Sequence, residues 1–207
     1  MKIDIARQPL VPAFMTLFAL AVAAMCAGIP VSDTSGAVRD ALPLLGGQLA
    51  RFQAAYPVWS KFAAGFMLLF TGMCAGRITI RYNLYTVGTC LPIPLYAIVA
   101  CGIATGGNYL AGFAASMLLA LATKNYCRAF CNGYGFDAIF RASLYLGLMP
   151  LVYAPALPLL LLLPLAVLLF RRTFREVVVA TAGLLLPIFT ACYVSWGSGA
   201  EFTAPLV

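Results

Sequence analysis

The chain has 207 residues, of which 63% are hydrophobic and 9% charged, and its mean hydropathy is +0.97. Soluble domains carry about 25% charged residues, so a chain this poor in charge cannot cover a water-facing surface and is predicted to be a polytopic membrane protein. Its net charge of +7 comes from cations set between apolar runs, and histidine is absent. This pattern argues against nucleic acid as a partner and against haem or a His-ligated metal, and we expect no cofactor.

Apolar run lengths predict the membrane crossings, because a membrane helix needs about 20 apolar residues. By this measure the sequence predicts an all-α transmembrane bundle of about seven spans, forming a single integral membrane domain over residues 1–207. The N-terminal segment "MKIDIARQPLVPAFMTLFALAVAAMCAG" resembles a signal sequence, but we expect it to be retained as the first helix. The predicted spans are 10–30, 58–76, 83–104, 107–123, 136–153, 155–170 and 176–196.

The positive charges divide unequally between the two sides of such a bundle. With the N-terminus inside, the outer side holds only Arg39, Arg51 and Lys61. Because cytoplasmic connections are enriched in Lys and Arg, the pattern predicts a cytoplasmic N-terminus and a C-terminus outside. The cytoplasmic cations are Lys2, Arg7, Arg77, Arg81, Lys124, Arg128, Arg141, Arg171, Arg172 and Arg175.

An outer loop at about 31–57 is the one sizeable segment predicted to lie outside the membrane. It contains two amphipathic stretches, "AVRDALPLL" and "QLARFQAAY", separated by Gly46 and Gly47. We expect them to form two short helices in the plane of the interface, with Tyr56 and Trp59 as aromatic anchors.

Residues 125–147, "NYCRAFCNGYGFDAIFRASLYLG", are the most polar stretch between two apolar runs. Asp137 and Arg141 are four residues apart, so on a helix they share a face and can pair. One interpretation is a proton- or ion-linked site, because a carboxylate at membrane depth is costly and commonly functional. The favoured interpretation is a self-satisfied ion pair at the cytoplasmic boundary, preceded by an interfacial helix over "KNYCRAFCNGYG".

Six cations are candidate contacts for anionic lipid headgroups, because guanidinium and ammonium groups bind phosphate. The same residues are also explained by the charge bias of cytoplasmic loops, without any ligand. The candidates are Arg77, Arg81, Lys124, Arg128, Arg171 and Arg172.

Two acidic residues of the outer loop, Asp33 and Asp40, raise a different hypothesis. Membrane glycosyltransferases that use polyprenyl-phosphate sugars place an acidic catalytic residue in their first outer loop, and a general base needs one carboxylate. The chain is similar to them in that respect only. No phosphate-binding loop, HExxH or GxSxG motif occurs, so we assign no catalytic residue and expect no enzyme.

Three segments resemble an uncharacterised family of Bacteroidetes inner-membrane proteins: "RYNLYTVGTCLPIPLY", "DAIFRASLYLGLMPLVYAPALPLLLLL" and "LLFRRTFREVVVATAGLLLPIFTACYV". The resemblance extends over roughly the C-terminal 60% of the chain, in which these segments lie. The resemblance implies the cytoplasmic membrane of a didermic bacterium and an envelope-related role. It transfers no catalytic residue.

The leading functional hypothesis is a non-enzymatic subunit of a larger inner-membrane assembly that serves protein secretion or envelope biogenesis. Its expected partners are the lipid bilayer and other integral membrane proteins. It rests on the small residues in "ALAVAAMCAG" and "GGNYLAGFAASMLLALA", which allow close packing of helices either against partners or within the chain. The alternatives are a small transporter or flippase for an anionic lipid-linked substrate, using Arg77, Arg81, Arg128 and Arg141, and the polyprenyl-phosphate-dependent transferase.

Overall fold

The computed structural model describes residues 10–26, 44–82, 89–104, 108–131, 135–163, 165, 173–199 and 201–202. All regular secondary structure in these ranges is helical, which confirms the predicted all-α class. The elements are α1 (Leu10–Cys26), α2 (Leu44–Ala55), α3 (Pro57–Arg81), α4 (Pro92–Ala104), α5 (Tyr109–Cys131), α6 (Phe136–Val152), a 3-10 helix (Ala154–Leu161) and α7 (Phe174–Gly197).

Two of the described helices, α3 and α7, are long and apolar enough to cross a membrane. This supports membrane association of the chain. The bundle of seven spans stays a prediction.

Two helices extend well beyond their predicted C-terminal ends. Helix α3 continues to Arg81 where an end at residue 76 is predicted, and α5 continues to Cys131 instead of residue 123. The separate interfacial helix predicted over "KNYCRAFCNGYG" is therefore wrong in its described part, since residues 124–131 belong to α5. Helix α5 continues to Cys131 because residues 113–131 contain neither glycine nor proline that would interrupt it.

Helix α4 begins later than its predicted start at residue 83. Residues 89–91 form a turn, in which the Leu91 N–H donates to Thr89 Oγ1 at 3.1 Å and the Ile93 N–H donates to the Cys90 carbonyl at 3.0 Å. Pro92 then opens the helix, a position where its missing N–H costs nothing. Residues 83–88 lie outside the described part of the chain.

The described part of the outer loop holds one helix that passes through Gly46 and Gly47. The predicted break at these glycines is wrong. Glycine lowers helix stability by about 1 kcal/mol relative to alanine but does not forbid a helix, and Gly46 is buried, so packing favours its small size.

The predicted span 155–170 begins as a 3-10 helix in its described part. Pro155 and Pro158 lack the N–H groups that an α-helix needs for its bonds to the fourth preceding carbonyl, which disfavours a regular α-helix here. Residues 164 and 166–172 lie outside the described residues.

The chain divides into two compact units, residues 1–33 with 52–120 and residues 34–51 with 121–207. In the first unit, α1, α3 and α4 pack against one another. Gly72 lies against Leu17 and Tyr96, and Gly76 lies against Ile93, so α3 and α4 run antiparallel with small residues at their contact. The single integral domain stays a prediction.

In the second unit, α6 and α7 pack closely and run parallel. Gly183 faces the backbone carbonyl of Phe140, and Gly147, further along α6, faces the backbone carbonyl of Leu184. Residue numbers thus rise together along the two helices. Glycine is required at such contacts because a Cβ atom would collide with the backbone of the neighbouring helix.

Parallel packing requires the connecting chain to return along the helices. Leu163 belongs to one buried cluster with Ala138, Ile139 and Ala180, which lie near the starts of α6 and α7. From Ile139 to Val152 an α-helix rises about 20 Å, and the eight residues of the 3-10 helix cover about 16 Å of the return at about 2 Å each. The extended rise of the 3-10 helix therefore lets a short segment reach back to this cluster.

Candidate functional site

Charged side chains gather at one end of the second unit, where α5 ends and α6 and α7 begin. Ala129, Ala138 and Ala180 join the three helices there in one buried cluster. The cations of α5 lie in its last turns and the acids of α6 and α7 in their first turns, as the helix dipole favours. We call this region the charged end; its members are Lys124, Arg128, Asp137, Arg141, Arg175 and Glu176.

Asp137 and Arg141 form the contact that their spacing predicts. Arg141 Nε donates to Asp137 Oδ1 at 2.9 Å, and the side chains of Arg141 and Asp137 are 58% and 68% exposed, respectively. An ion pair so exposed is screened by solvent and contributes about 0–1 kcal/mol. This exposure favours the interpretation as a self-satisfied pair over a proton- or ion-linked site.

The predicted headgroup contacts form two similar pairs among the described residues. Arg77 and Arg81 are exposed one turn apart at the end of α3, in the first unit, and Lys124 and Arg128 are exposed one turn apart near the end of α5. Their charged groups are therefore accessible to an anionic ligand, whose binding stays a prediction. Arg171 and Arg172 lie outside the described residues.

Glu176 is the buried acid of the charged end, only 2% exposed. It is the third residue of α7, and its backbone N–H donates to the Thr173 carbonyl at 3.0 Å. Its side chain lies on the face that also buries Ala180, Gly183 and Pro187. Because burial of a carboxylate is costly unless polar or charged groups compensate it, Glu176 is the acid whose position most needs an explanation.

Glu176 is not among the site residues predicted from the sequence. Two signals in the sequence identify it. Thr173 and Glu176 match the T-x-x-E pattern of a capping box. Glu176, Ala180, Gly183 and Pro187 recur at helical spacing, which places the acid on the small-residue face that packs inward.

Tyr126 ties α5 to α6 beside the charged end. Its hydroxyl shares a hydrogen bond of 3.4 Å with Ser143 Oγ, and its ring stacks on Phe130 with 5.6 Å between centroids. Burial raises the pKa of the Tyr126 hydroxyl above its usual range, and the bond to Ser143 offsets part of this rise. The hydroxyl serves as a structural link between the two helices.

An apolar groove of about 440 Å³ lies at the junction of α2 and α3. It includes both predicted aromatic anchors, Tyr56 and Trp59, and its remaining lining residues are Phe52, Phe62 and Ala63. The lining carries no acid or base, so the groove suits contact with apolar groups rather than catalysis.

The acids of the transferase hypothesis, Asp33 and Asp40, lie outside the described residues. Within the described ranges, no three Asp, Glu, Cys or His side chains come together as a metal site would require.

No known protein family, curated protein or solved structure matches this chain. The resemblance to Bacteroidetes inner-membrane proteins stays a prediction.

Proposed function

We propose that the chain is a multi-pass protein of the bacterial cytoplasmic membrane, with its N-terminus inside and its C-terminus outside. The dimensions of α3 support this. Trp59 lies near its start and Arg77 near its end, both exposed on the same helix. Eighteen residues of α-helix rise about 27 Å, which matches a hydrocarbon core of about 30 Å.

Helix α7 also has a cation near one end and aromatic residues near the other, in the opposite order along the chain. Arg175 lies in its first turn, and the exposed residues Tyr193 and Trp196 lie in its last turns, with 6.1 Å between their ring centroids. The rise from Arg175 to Trp196 is about 32 Å. The helix thus places a cation and an aromatic pair at the two expected interfaces.

These two patterns agree with the topology predicted from the cations. The predicted second span runs from outside to inside and the seventh from inside to outside. In both helices this direction puts the tryptophan outside and the arginine inside, and the protein has only these two tryptophans. Because aromatic belts form at both membrane interfaces, the aromatic residues support a full crossing by each helix, and the arginines assign the sides.

Within this membrane protein, we infer the role of a non-enzymatic subunit of a larger assembly, serving protein secretion or envelope biogenesis. The observation that carries it is that three hydrogen bonds between hydroxyl groups join helices of the chain. Ser60 bonds to Tyr109, Tyr96 to Ser116 and Tyr126 to Ser143, and each bond joins two different helices. Such bonds fix helices relative to each other, as a scaffold requires.

The small residues of α1 and α5 differ in their exposure, and so in whether a partner can contact them. In α5, Ala111, Ala114 and Ala115 are buried within the chain. In α1, Ala19 and Ala23 are exposed one turn apart. This exposed face of α1 suits close contact with a helix of another membrane protein.

Co-purification tests this function. A tagged copy extracted in mild detergent is expected to retain at least one integral membrane protein at fixed stoichiometry. Replacing Ala19 and Ala23 with leucine is expected to release that partner, because bulky side chains hold the helices apart. The matched control is Ala182→Leu on the exposed surface of α7. A wild-type protein that purifies alone contradicts the subunit role and leaves the transporter as the leading candidate.

A further inference from the structure

One face of α3 is exposed along its whole length and changes from aromatic to basic. An α-helix turns about 100° per residue, so Phe66 and Phe70 lie within about 20° of Arg77 around the helix axis. Phe66 is 67% exposed, and its ring stacks on that of Phe70 with 6.4 Å between centroids. Met73, between them and Arg77, is also exposed.

Two guanidinium groups close this face at its C-terminal end. Arg77 and Arg81 are four residues apart, so their Cβ atoms lie about 6 Å from each other along one side of the helix, and both side chains are exposed. Guanidinium groups present planar, paired donors that match the oxygens of a phosphate. An apolar strip therefore ends in a cationic pair suited to one phosphate.

The second cationic pair of the chain lacks such a strip. Lys124 and Arg128 have the same spacing and exposure, but on the same face of α5 Met117, two turns before Lys124, is only partly exposed, and the residues further back are buried. Phe113 and Leu110 are 2% and 1% exposed, respectively. The two pairs thus share charge and spacing and differ in the surface beside them.

We propose that the exposed face of α3 binds one anionic phospholipid of the cytoplasmic leaflet. Arg77 and Arg81 bind its phosphate, and its acyl chains lie along Met73, Phe70 and Phe66. The charge complementarity and the apolar strip leading to the cations select a lipid over a free phosphate, which would gain nothing from the aromatic rings. The proposal rests on the proposed membrane topology and is independent of any partner subunit.

Native mass spectrometry of the detergent-purified protein, titrated with phosphatidylglycerol, tests the proposal. We expect one bound lipid to be favoured over phosphatidylcholine of the same chain length. The double substitution Arg77→Gln with Arg81→Gln is expected to weaken this binding by at least ten-fold, since each cation near an anionic lipid contributes about a five-fold effect. The matched control, Lys124→Gln with Arg128→Gln, removes the same charge and is expected to change binding by less than two-fold.

A third variant tests the apolar part of the site. Phe66→Ser with Phe70→Ser keeps both arginines and is expected to weaken phospholipid binding several-fold. The affinity for inorganic phosphate alone is expected not to change in this variant, because both arginines are retained. The proposal is overturned if the two double substitutions at the cationic pairs weaken phosphatidylglycerol binding equally. It is also overturned if inorganic phosphate displaces the lipid completely at equal concentration. If the protein is instead recovered from cells in aqueous buffer without detergent, this result contradicts the proposed membrane topology.

Discussion

Replacing Glu176 with lysine is expected to cost about 3–5 kcal/mol of folding free energy, the loss typical of an uncompensated charge in a buried site. Glu176 is 2% exposed at the start of α7, and the new ammonium group would lie where a carboxylate is now accommodated. Thermal unfolding of the detergent-purified protein and its abundance in membranes are the measurements. Glu176→Gln keeps the size of the side chain, so it separates the loss of charge from the loss of shape.

The matched control for this prediction is Asp137→Lys. Asp137 is also an acid in the first turn of a helix, but it is 68% exposed. Its replacement loses one screened ion pair and is expected to cost less than about 1 kcal/mol. Equal losses at the two positions would show that burial does not distinguish these acids.

Replacing Gly147 with valine is expected to destabilise the α6–α7 pair by about 3 kcal/mol, the upper part of the usual range for overpacking. A Cβ atom at Gly147 would collide with the backbone carbonyl of Leu184. A backbone group cannot rotate away as a side chain can, so the two helices have to separate. Chemical or thermal unfolding in detergent measures the loss.

Gly197→Val is the control on α7, because a Cβ atom there has no neighbour within 4 Å. We expect a change within about 0.5 kcal/mol, as for surface substitutions in general. Gly183→Val should act like Gly147→Val, and combining the two should cost less than their sum, because both force the same helices apart. Equal effects of Gly147→Val and Gly197→Val would contradict the close parallel contact.

Local sequence signals account for the elements that were predicted well. Helices α6 and α7 lie within two residues of the predicted spans 136–153 and 176–196. Pro155 follows the end of α6, and Thr173 precedes α7 as its N-cap. These boundaries depend on short-range chemistry, which a sequence displays directly.

The remaining features depend on contacts between distant residues. Nothing local pairs Gly147 with Leu184, and the 3-10 geometry of Ala154–Leu161 follows only partly from its prolines. The predicted break at Gly46 and Gly47 was wrong because burial outweighed a small loss of helix propensity. At the charged end, the charge pattern predicts a site at Asp137, whereas the more constrained acid is the buried Glu176. The sequence marks Glu176 by its helical spacing with Ala180 and Gly183 and by the capping-box pattern that begins at Thr173.

In the proposed topology, α3 and α7 cross the membrane in opposite directions. Reporter insertions after Tyr82 and after Phe202 test it most directly, using alkaline phosphatase, which is active only outside, and green fluorescent protein, which is fluorescent only inside. We predict fluorescence without phosphatase activity after Tyr82, and phosphatase activity without fluorescence after Phe202. The same reporter active at both positions would contradict this topology.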